Sequence, residues 1–555
     1  MPVSGYQAGA WRTPSTREEE FQLAGRIVAS QLLVLLGSWL YLRFDDWAAS
    51  ALLVVALFHA AIVFARAMAA YARTALIATG IVLVSLSPIM TYGSQSGEVL
   101  YFGSAYSVDY QQYISVAYSL ATNGLPFANP YWPAQPGYYH YGFTLPLAAV
   151  LRLVDLRSGG FFFYSYAFFA YAAAILVLLL VMLRMVFFTS SREWLIAVAV
   201  AVFASSYKAL YGAISAFAVG TELAGYDTPI GFKTLQNDMI FGPHYIYSAI
   251  FLLYVLAILS RRREEVIGSF ESLMIGLVAF TAPLINAFSS VILAAFFAGF
   301  VLVRHWRTPK RALTDRSSWV LAGALMLSYV GMRLLNVYAP GLRMARLDFD
   351  PLVLATLFIG IAINFGGLLI LYLQRDRFSD PLWQISSVAL CVLALSIWVL
   401  TIDQNMEGRF SISRRLGTFI VLILMINIRM TALDWRHAVV LAPALLTFLG
   451  QNYYFFASQD YSSRTVGVAR ELFDIRMPYR LNDAAYRASD RYRFNFDIVT
   501  GGASIEYPNS LGYRQYSPVS VVRPSPATPA TPATGALNIT FQDNVFTPVR
   551  SESGE

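Results

Sequence analysis

The tightest constraint on this chain is the recurrence of long apolar runs. They lie at 25–42, 47–66, 74–92, 161–188, 193–219, 241–260, 268–285, 287–304, 318–336, 351–373, 382–402, 416–430 and 438–456. A helix that crosses a bilayer needs about 20 predominantly apolar residues. The pattern therefore predicts an all-α polytopic membrane protein with about 13 transmembrane helices. Composition agrees, with 57% of the 555 residues hydrophobic and only 13% charged, against about 25% charged in soluble domains. A soluble globule, a disordered chain and a fibre are excluded together. Cys391 is the only cysteine and sits inside an apolar run, which removes any disulfide framework. The formal charge of +7 comes from arginines scattered between apolar runs, so no nucleic-acid partner is expected.

The charge is unevenly spread. Residues 457–555 hold 20 charged residues in 99 positions, ten acidic and ten arginine. We expect a short cytoplasmic segment over 1–24, a membrane body over 25–456 and a small C-terminal exoplasmic segment over 457–555. Within that segment the run PSPATPATPATG at 524–535 buries no core and reads as an extended linker. The polar N-terminus carries Arg17 and Glu18–Glu20 with no cleavage pattern, so the first apolar run is expected to stay as an anchor.

One stretch decides the topology. Residues 141–156 are apolar but short, and they include Pro146, Arg152 and Asp155. With this stretch left out of the count, the basic clusters at Arg66/Arg73, Arg184/Arg192, Arg261–Arg263, Arg304–Arg316, Arg375/Arg377 and Arg429/Arg436 fall on one side. The positive-inside bias then puts 141–156 along the outer interface as an amphipathic helix. The N-terminus is expected inside and the tail outside, in what reads as the cytoplasmic membrane of a bacterium. The long connection 93–160, with the segments 207–243, 337–350 and 403–415, then faces outward and carries the acidic, histidine and aromatic residues.

Three outer clusters hold candidate chemistry. In the first loop, Tyr106, Tyr110, Tyr113, Ala117 and Leu120 recur at helical spacing, which predicts a second interfacial helix. Asp109 stands at its start, where the helix N-terminus favours an ionised carboxylate; a capping aspartate is the plainer alternative. Four prolines between Pro126 and Pro136 rule out regular structure there. The second cluster places Asp238 and His244 where the 241–260 helix starts, a position at which a backbone-satisfied interfacial histidine is common. The third runs from Asp403 through Glu407 to Arg409, Arg414 and Arg415. Three outward arginines in seven positions need an anionic partner, either a lipid-linked phosphate gripped by guanidinium forks or bilayer headgroups. Arg343, Arg346, Asp348 and Asp350 form a weaker copy. His59, His305 and His437 lack partners at metal-ligand spacing and read as structural, and the Asn538-Ile539-Thr540 sequon is of a kind that arises by chance.

The first loop resembles that of the GT-C superfamily of membrane glycosyltransferases, which use polyprenyl-phosphate sugars. The matching pieces are Asp109, Gly124-Leu125-Pro126, Asn129-Pro130 and Tyr138-Tyr139-His140-Tyr141-Gly142, with Pro243-His244 at a comparable helix start. Two departures stand out. Tyr110 follows Asp109 where many members pair two acids, and two extra N-terminal spans precede the loop. The missing acid leaves a divalent cation open rather than expected, because hard cations prefer several carboxylates; no metal ligands are assigned. The resemblance implies a GT-C-like helical bundle that moves a sugar from a polyprenyl-phosphate donor to an unidentified acceptor at the exoplasmic face. It implies Asp109 as catalytic base, and Arg409, Arg414, Arg415 and His244 as ligands of the donor phosphate. Tyr106, Tyr113, Trp132, His140, Tyr141 and Asp238 are expected to line the substrate site. A transporter or flippase of a lipid-linked or anionic substrate is the alternative. Against it stand a midplane almost free of charge and the lack of internal repeats. A non-catalytic scaffold would leave Asp109 and the arginines without a role.

Overall fold

The computed structural model describes residues 16–90, 93–96, 99–102, 113, 116–117, 119–121, 124–126, 141–155, 161–219, 234–335, 346–347, 349, 351–373, 380–401, 406–457, 466–469, 519–522, 537–542 and 545–548. The body is all-helical. Its helices are α1 (Arg17–Phe44), α2 (Trp47–Ala70), α3 (Ala72–Met90), α4 (Leu145–Leu153), α5 (Phe161–Phe187), α6 (Ser191–Phe203), α7 (Lys208–Val219) and α8 (Leu235–Phe241). They continue with α9 (Pro243–Arg261), α10 (Ser269–Ile285), α11 (Ser289–His305), α12 (Arg316–Leu334), α13 (Pro351–Leu373), α14 (Pro381–Val399), α15 (Met406–Ile426) and α16 (Trp435–Ala457). Each expected apolar run falls on one helix, except that 193–219 falls on two. Among the described residues seven helical stretches are long and apolar enough to cross a membrane, one of them being Ser191–Tyr211, which runs through α6 into α7, and five more helices are apolar but shorter.

Helix ends follow local chemistry. The turn between α1 and α2 is two aspartates. Asp45 takes the left-handed conformation (φ +53°) and its N–H closes α1 onto the Tyr41 carbonyl at 2.9 Å. Asp46 then caps α2, accepting the Ala49 N–H at 2.7 Å. Ser190 caps α6 by accepting from Glu193 N at 3.1 Å, and Glu193 reaches back to Thr189 N at 3.1 Å, a reciprocal box. Asp315 and Asp380 cap α12 and α14 in the same way. His305 contacts Asp315 and His437 contacts Asp434, so both histidines serve helix ends, as expected of structural residues.

The chain divides into two compact units. One comprises 1–34, 54–85 and 173–449, and the other 35–53, 86–172 and 450–555. In the first unit α9 is the central helix, with 89% of its spanning window buried; α10, α11, α14 and α15 pack around it. Gly331 lets α12 approach the Phe280 carbonyl, and Gly299 lets α11 approach that of Ile385, each with no room for a Cβ.

The basic clusters of this unit meet at one end. Arg261 pairs with Glu18, and Arg184 lies 3.8 Å from Glu20. Arg304 donates to the carbonyls of Arg262 and Arg263 at 3.1 and 2.9 Å, and Arg429 lies over the Phe188 ring. The start of α1 and the ends of α5, α9, α11 and α15 therefore share that end, as the parity argument requires. Trp306, Trp319 and Trp435 stand exposed beside the same clusters, the habit of interfacial tryptophan.

The unit also holds a broken helix that the sequence reading did not anticipate. Between α6 and α7 the chain unwinds over Ala204–Tyr207 and trades hydrogen bonds with the middle of α13. Tyr207 N–H donates to the Ile363 carbonyl at 2.6 Å, and Gly367 N–H donates to the Ser205 carbonyl at 3.1 Å. The Gly366-Gly367 pair makes this approach possible, since a Cβ on Gly367 would sit 2.0 Å from the Ala204 oxygen. Lys208, the first residue of α7, is 8% exposed. The single span expected over 193–219 is corrected to two helices, with a buried lysine where the second begins.

In the second unit α4 has nine residues, about 13 Å of helix and too short to span. It is not a half-exposed surface helix, however. Leu145, Leu147, Leu151 and Arg152 are all buried, so it packs inside protein. Six strands add a sheet that was not expected: β1 (Gly93–Ser96), β2 (Val99–Phe102), β5 (Val466–Ala469), β6 (Val519–Val522), β7 (Leu537–Gln542) and β8 (Val545–Pro548), in the order β1-β2-β5-β8-β7-β6. The short β3 (Arg346–Leu347) and β4 (Leu400–Thr401) pair separately in the first unit. The expected linker at 524–535 lies outside the described residues. The sequon falls on β7, between two paired neighbours.

Candidate functional site

Two places gather polar side chains that the apolar pattern leaves unexplained. The first surrounds the junction of α8 and α9, at the end of α9 away from the arginine-rich end. Asp238 is fully buried on the short α8, and its Oδ2 accepts from Thr418 Oγ1 of α15 at 2.7 Å. Gly242 N–H returns to the Asp238 backbone carbonyl at 2.8 Å, which closes α8 just before α9 starts, with His244 in the first turn of α9 and 3% exposed.

One turn before Thr418, Arg415 lays its guanidinium over the Phe288 ring, 5.2 Å from the centroid. The Phe288 N–H donates to Asn286 Oδ1 at 3.0 Å. Asn286 Nδ2 approaches Ser248 Oγ at 3.4 Å, and Ser248 lies one helical turn from His244. Two sets of contacts result, Asp238 with Thr418, and Arg415 with Phe288, Asn286 and Ser248; helical spacing alone relates Thr418 to Arg415 and Ser248 to His244. A buried carboxyl on α8, a histidine on α9 and a guanidinium on α15 are groups able to bind an anion beside a proton-exchanging group.

Of the residues expected from sequence, Asp238 and His244 lie on either side of the α8–α9 junction, and Arg415 lies one turn before Thr418, the partner of Asp238. The arginine cluster needs revision. Helix α15 begins at Met406, ten residues before the expected start, so Arg409, Arg414 and Arg415 are helical rather than in a loop. Arg415 is the one placed beside Phe288. The side chains of Arg409 and Arg414 lie outside the described residues, as do Asp109, Tyr106, Trp132 and His140.

The second place belongs to the other unit. Residues 113, 116, 117 and 119–121 are helical, and Tyr113, Ala117 and Leu120 are all buried, which matches the expected face. Gly124 ends this helix with φ +71°, its N–H closing onto the Leu120 carbonyl at 2.9 Å. Leu125 N–H then donates to the Leu42 carbonyl at 2.7 Å. A Cβ on Gly124 would lie 2.5 Å from the Leu42 oxygen and 2.8 Å from Arg152 Nη1. Arg152, its side chain 7% exposed, pairs with Asp45 in the α1–α2 turn. The Gly124-Leu125-Pro126 motif is therefore a latch, tying the first outer loop to that turn.

Tyr113 and Tyr141 are not open to a sugar. Tyr113 stacks on Phe168 at 5.7 Å and meets Phe143 edge-on. Tyr141 is 2% exposed and hydrogen-bonds with Trp39; burial pushes its phenol well above the usual range. Rings so enclosed have no face to offer, so both are packing residues rather than substrate contacts. Sequence reasoning missed Thr418, Ser248 and Asn286, whose only signal was polarity breaking an apolar run, and Phe288, which gave no signal, and also the Asp45–Arg152 pair and Lys208. Among the described residues no group of three or more His, Cys, Asp or Glu side chains forms a metal site. No protein-family model, characterised protein or solved structure is similar to this chain.

Proposed function

We propose that the chain is a GT-C-type membrane glycosyltransferase with thirteen spans, transferring sugar from a polyprenyl-phosphate donor to an acceptor on the exoplasmic face. The observation that carries this reading is the fully buried Asp238 bonded to Thr418 of α15, with Arg415 one turn away and buried His244 at the start of α9, opposite the arginine-rich end. In this mechanism Asp109 takes the acceptor hydroxyl proton as the oxygen attacks the anomeric carbon with inversion. Arg415, assisted by His244, holds the phosphate as negative charge collects on the leaving oxygen. Asp238 and Thr418 keep that stretch of α15 in register with α9. The arginine-rich end of the first unit faces the cytoplasm.

A carrier or flippase is the second reading, favoured by the broken α6–α7 helix with buried Lys208. Discontinuous helices and intramembrane charge are habits of transport proteins. Purified protein given polyprenyl-phosphate sugars and a panel of acceptors tests the first reading, by product formation. The same protein in proteoliposomes, scored for translocation of the lipid-linked sugar in wild type and Lys208→Met, tests the second. Translocation lost in Lys208→Met, with no product from any acceptor, replaces the first reading by the second.

A further inference from the structure

The outer loop after α3 is tied at both of its described ends. Downstream, the latch fixes Gly124 and Leu125 to the α1–α2 turn. Upstream, the hairpin of β1 and β2 is paired to the C-terminal segment. Strand β2 runs antiparallel to β5, with Val99 opposite Ala469, Leu100 opposite Val468, Tyr101 opposite Gly467 and Phe102 opposite Val466. Strand β5 pairs in turn with β8, where Gly467 meets Val545 and Val468 meets Phe546. Four of the six strands therefore come from beyond residue 457.

A lone two-stranded hairpin is marginal in water, and three or more strands are needed for independent stability. The hairpin residues, Gly93–Ser96 and Val99–Phe102, make only such a two-stranded ribbon, and Gly93 is a poor strand former. The order of the loop's upstream end is thus supplied by chain synthesised more than 360 residues later.

We propose that the C-terminal segment is a brace for the first outer loop, and that the loop works only with β5 docked on β2. The functional half of this statement rests on the glycosyltransferase reading; the bracing itself does not. The brace gives the tail a role that neither a flexible stalk nor an independent domain would have. Displacing a loop by about 1 Å can cost about 10²-fold in rate, so undocking β5 is expected to lower transfer by that order.

The full-length chain with Cys391→Ser provides the test. Opposed residues on antiparallel strands have Cβ atoms about 4.5–5.5 Å apart, close to disulfide reach. Leu100→Cys/Val468→Cys or Tyr101→Cys/Gly467→Cys is expected to cross-link on mild oxidation, and the offset pair Leu100→Cys/Val466→Cys is not. Equal cross-linking of opposed and offset pairs, or none in any pair, overturns the proposal. A second arm uses Val468→Pro, which removes a ladder donor without shortening the chain. Amide hydrogen exchange over 93–102 is expected to quicken at least tenfold, with α9 unchanged; unchanged exchange in the hairpin overturns the brace. If cross-linking and exchange behave as expected while the wild type transfers no sugar, the brace stands and the glycosyltransferase reading falls. If wild type transfers and Val468→Pro transfers equally well, the functional half of the proposal is wrong.

Discussion

At the scale of single residues, three side chains make separable statements. Asp109→Asn keeps size and capping capacity and removes only the proton acceptor. Transfer is expected to fall about 10²–10⁴-fold with donor binding near normal, while Asp238→Asn should instead weaken donor retention. A matching loss of rate in both, measured by single-turnover transfer, would point to a two-acid site. Thr418→Val removes the hydroxyl that donates to a fully buried carboxyl. The stranded acceptor should cost about 1–3 kcal/mol, seen as a lower thermal midpoint in detergent. Asp315 gives the pH dependence. Burial raises its pKa, but hydrogen bonds from His305 and the Ser317 N–H, with the charge of Arg304, outweigh burial and hold it below the ordinary carboxylate value. A depressed folded pKa stabilises above the unfolded value, about 3.9, and that contribution disappears as pH falls through the folded value. The gap in thermal midpoint between wild type and Asp315→Asn should therefore be full at pH 6 and close on acidification toward pH 3.

Secondary-structure elements meet through backbone as well as side chains, and the α6–α7 break against α13 is the sharpest case. Gly367→Ala would drive a Cβ to 2.0 Å from the Ala204 oxygen, where neither helix can yield without losing the exchanged hydrogen bonds. Overpacking of this kind costs about 1–3 kcal/mol. Gly323→Ala on α12 is the control, because nothing lies within 4 Å of its added methyl and alanine gains up to about 1 kcal/mol in a helix interior. Thermal unfolding in detergent should lower the midpoint for the first substitution and leave it equal or raised for the second. Equal midpoints in both would mean that the close approach carries no constraint.

For the whole molecule, topology is the checkable consequence. With α4 too short to span, a cysteine near Gly159 should be labelled from outside and one near Arg262 only from inside, each in a Cys391→Ser background; reversed labelling would invert the proposed orientation. Apolar runs located the helices because burial in lipid and burial in protein both demand the same side chains. They also flagged Asp238, His244 and Arg415, since charge inside or beside an apolar run is costly and therefore visible. They could not reveal partners. The Thr418 hydroxyl, the Asp45–Arg152 pair and the sheet all join residues far apart in the chain, and no local period encodes those pairings. Tyr113 and Tyr141 misled for a related reason: a tyrosine's pattern is the same whether its ring faces a ligand or a neighbouring phenylalanine. The one readable trace of the break was the Gly366-Gly367 pair inside an apolar run.

That break has a consequence for biogenesis. Tyr207 N–H and Ser205 C=O find their partners about 160 residues further along the chain, which at 5–20 residues per second is roughly 8–30 s of translation. Until Ile363 and Gly367 emerge, α6 and α7 sit at the translocon with backbone groups that lipid cannot satisfy. Insertion of this pair must therefore wait, shielded by water or by the insertion machinery, until α13 arrives to complete it.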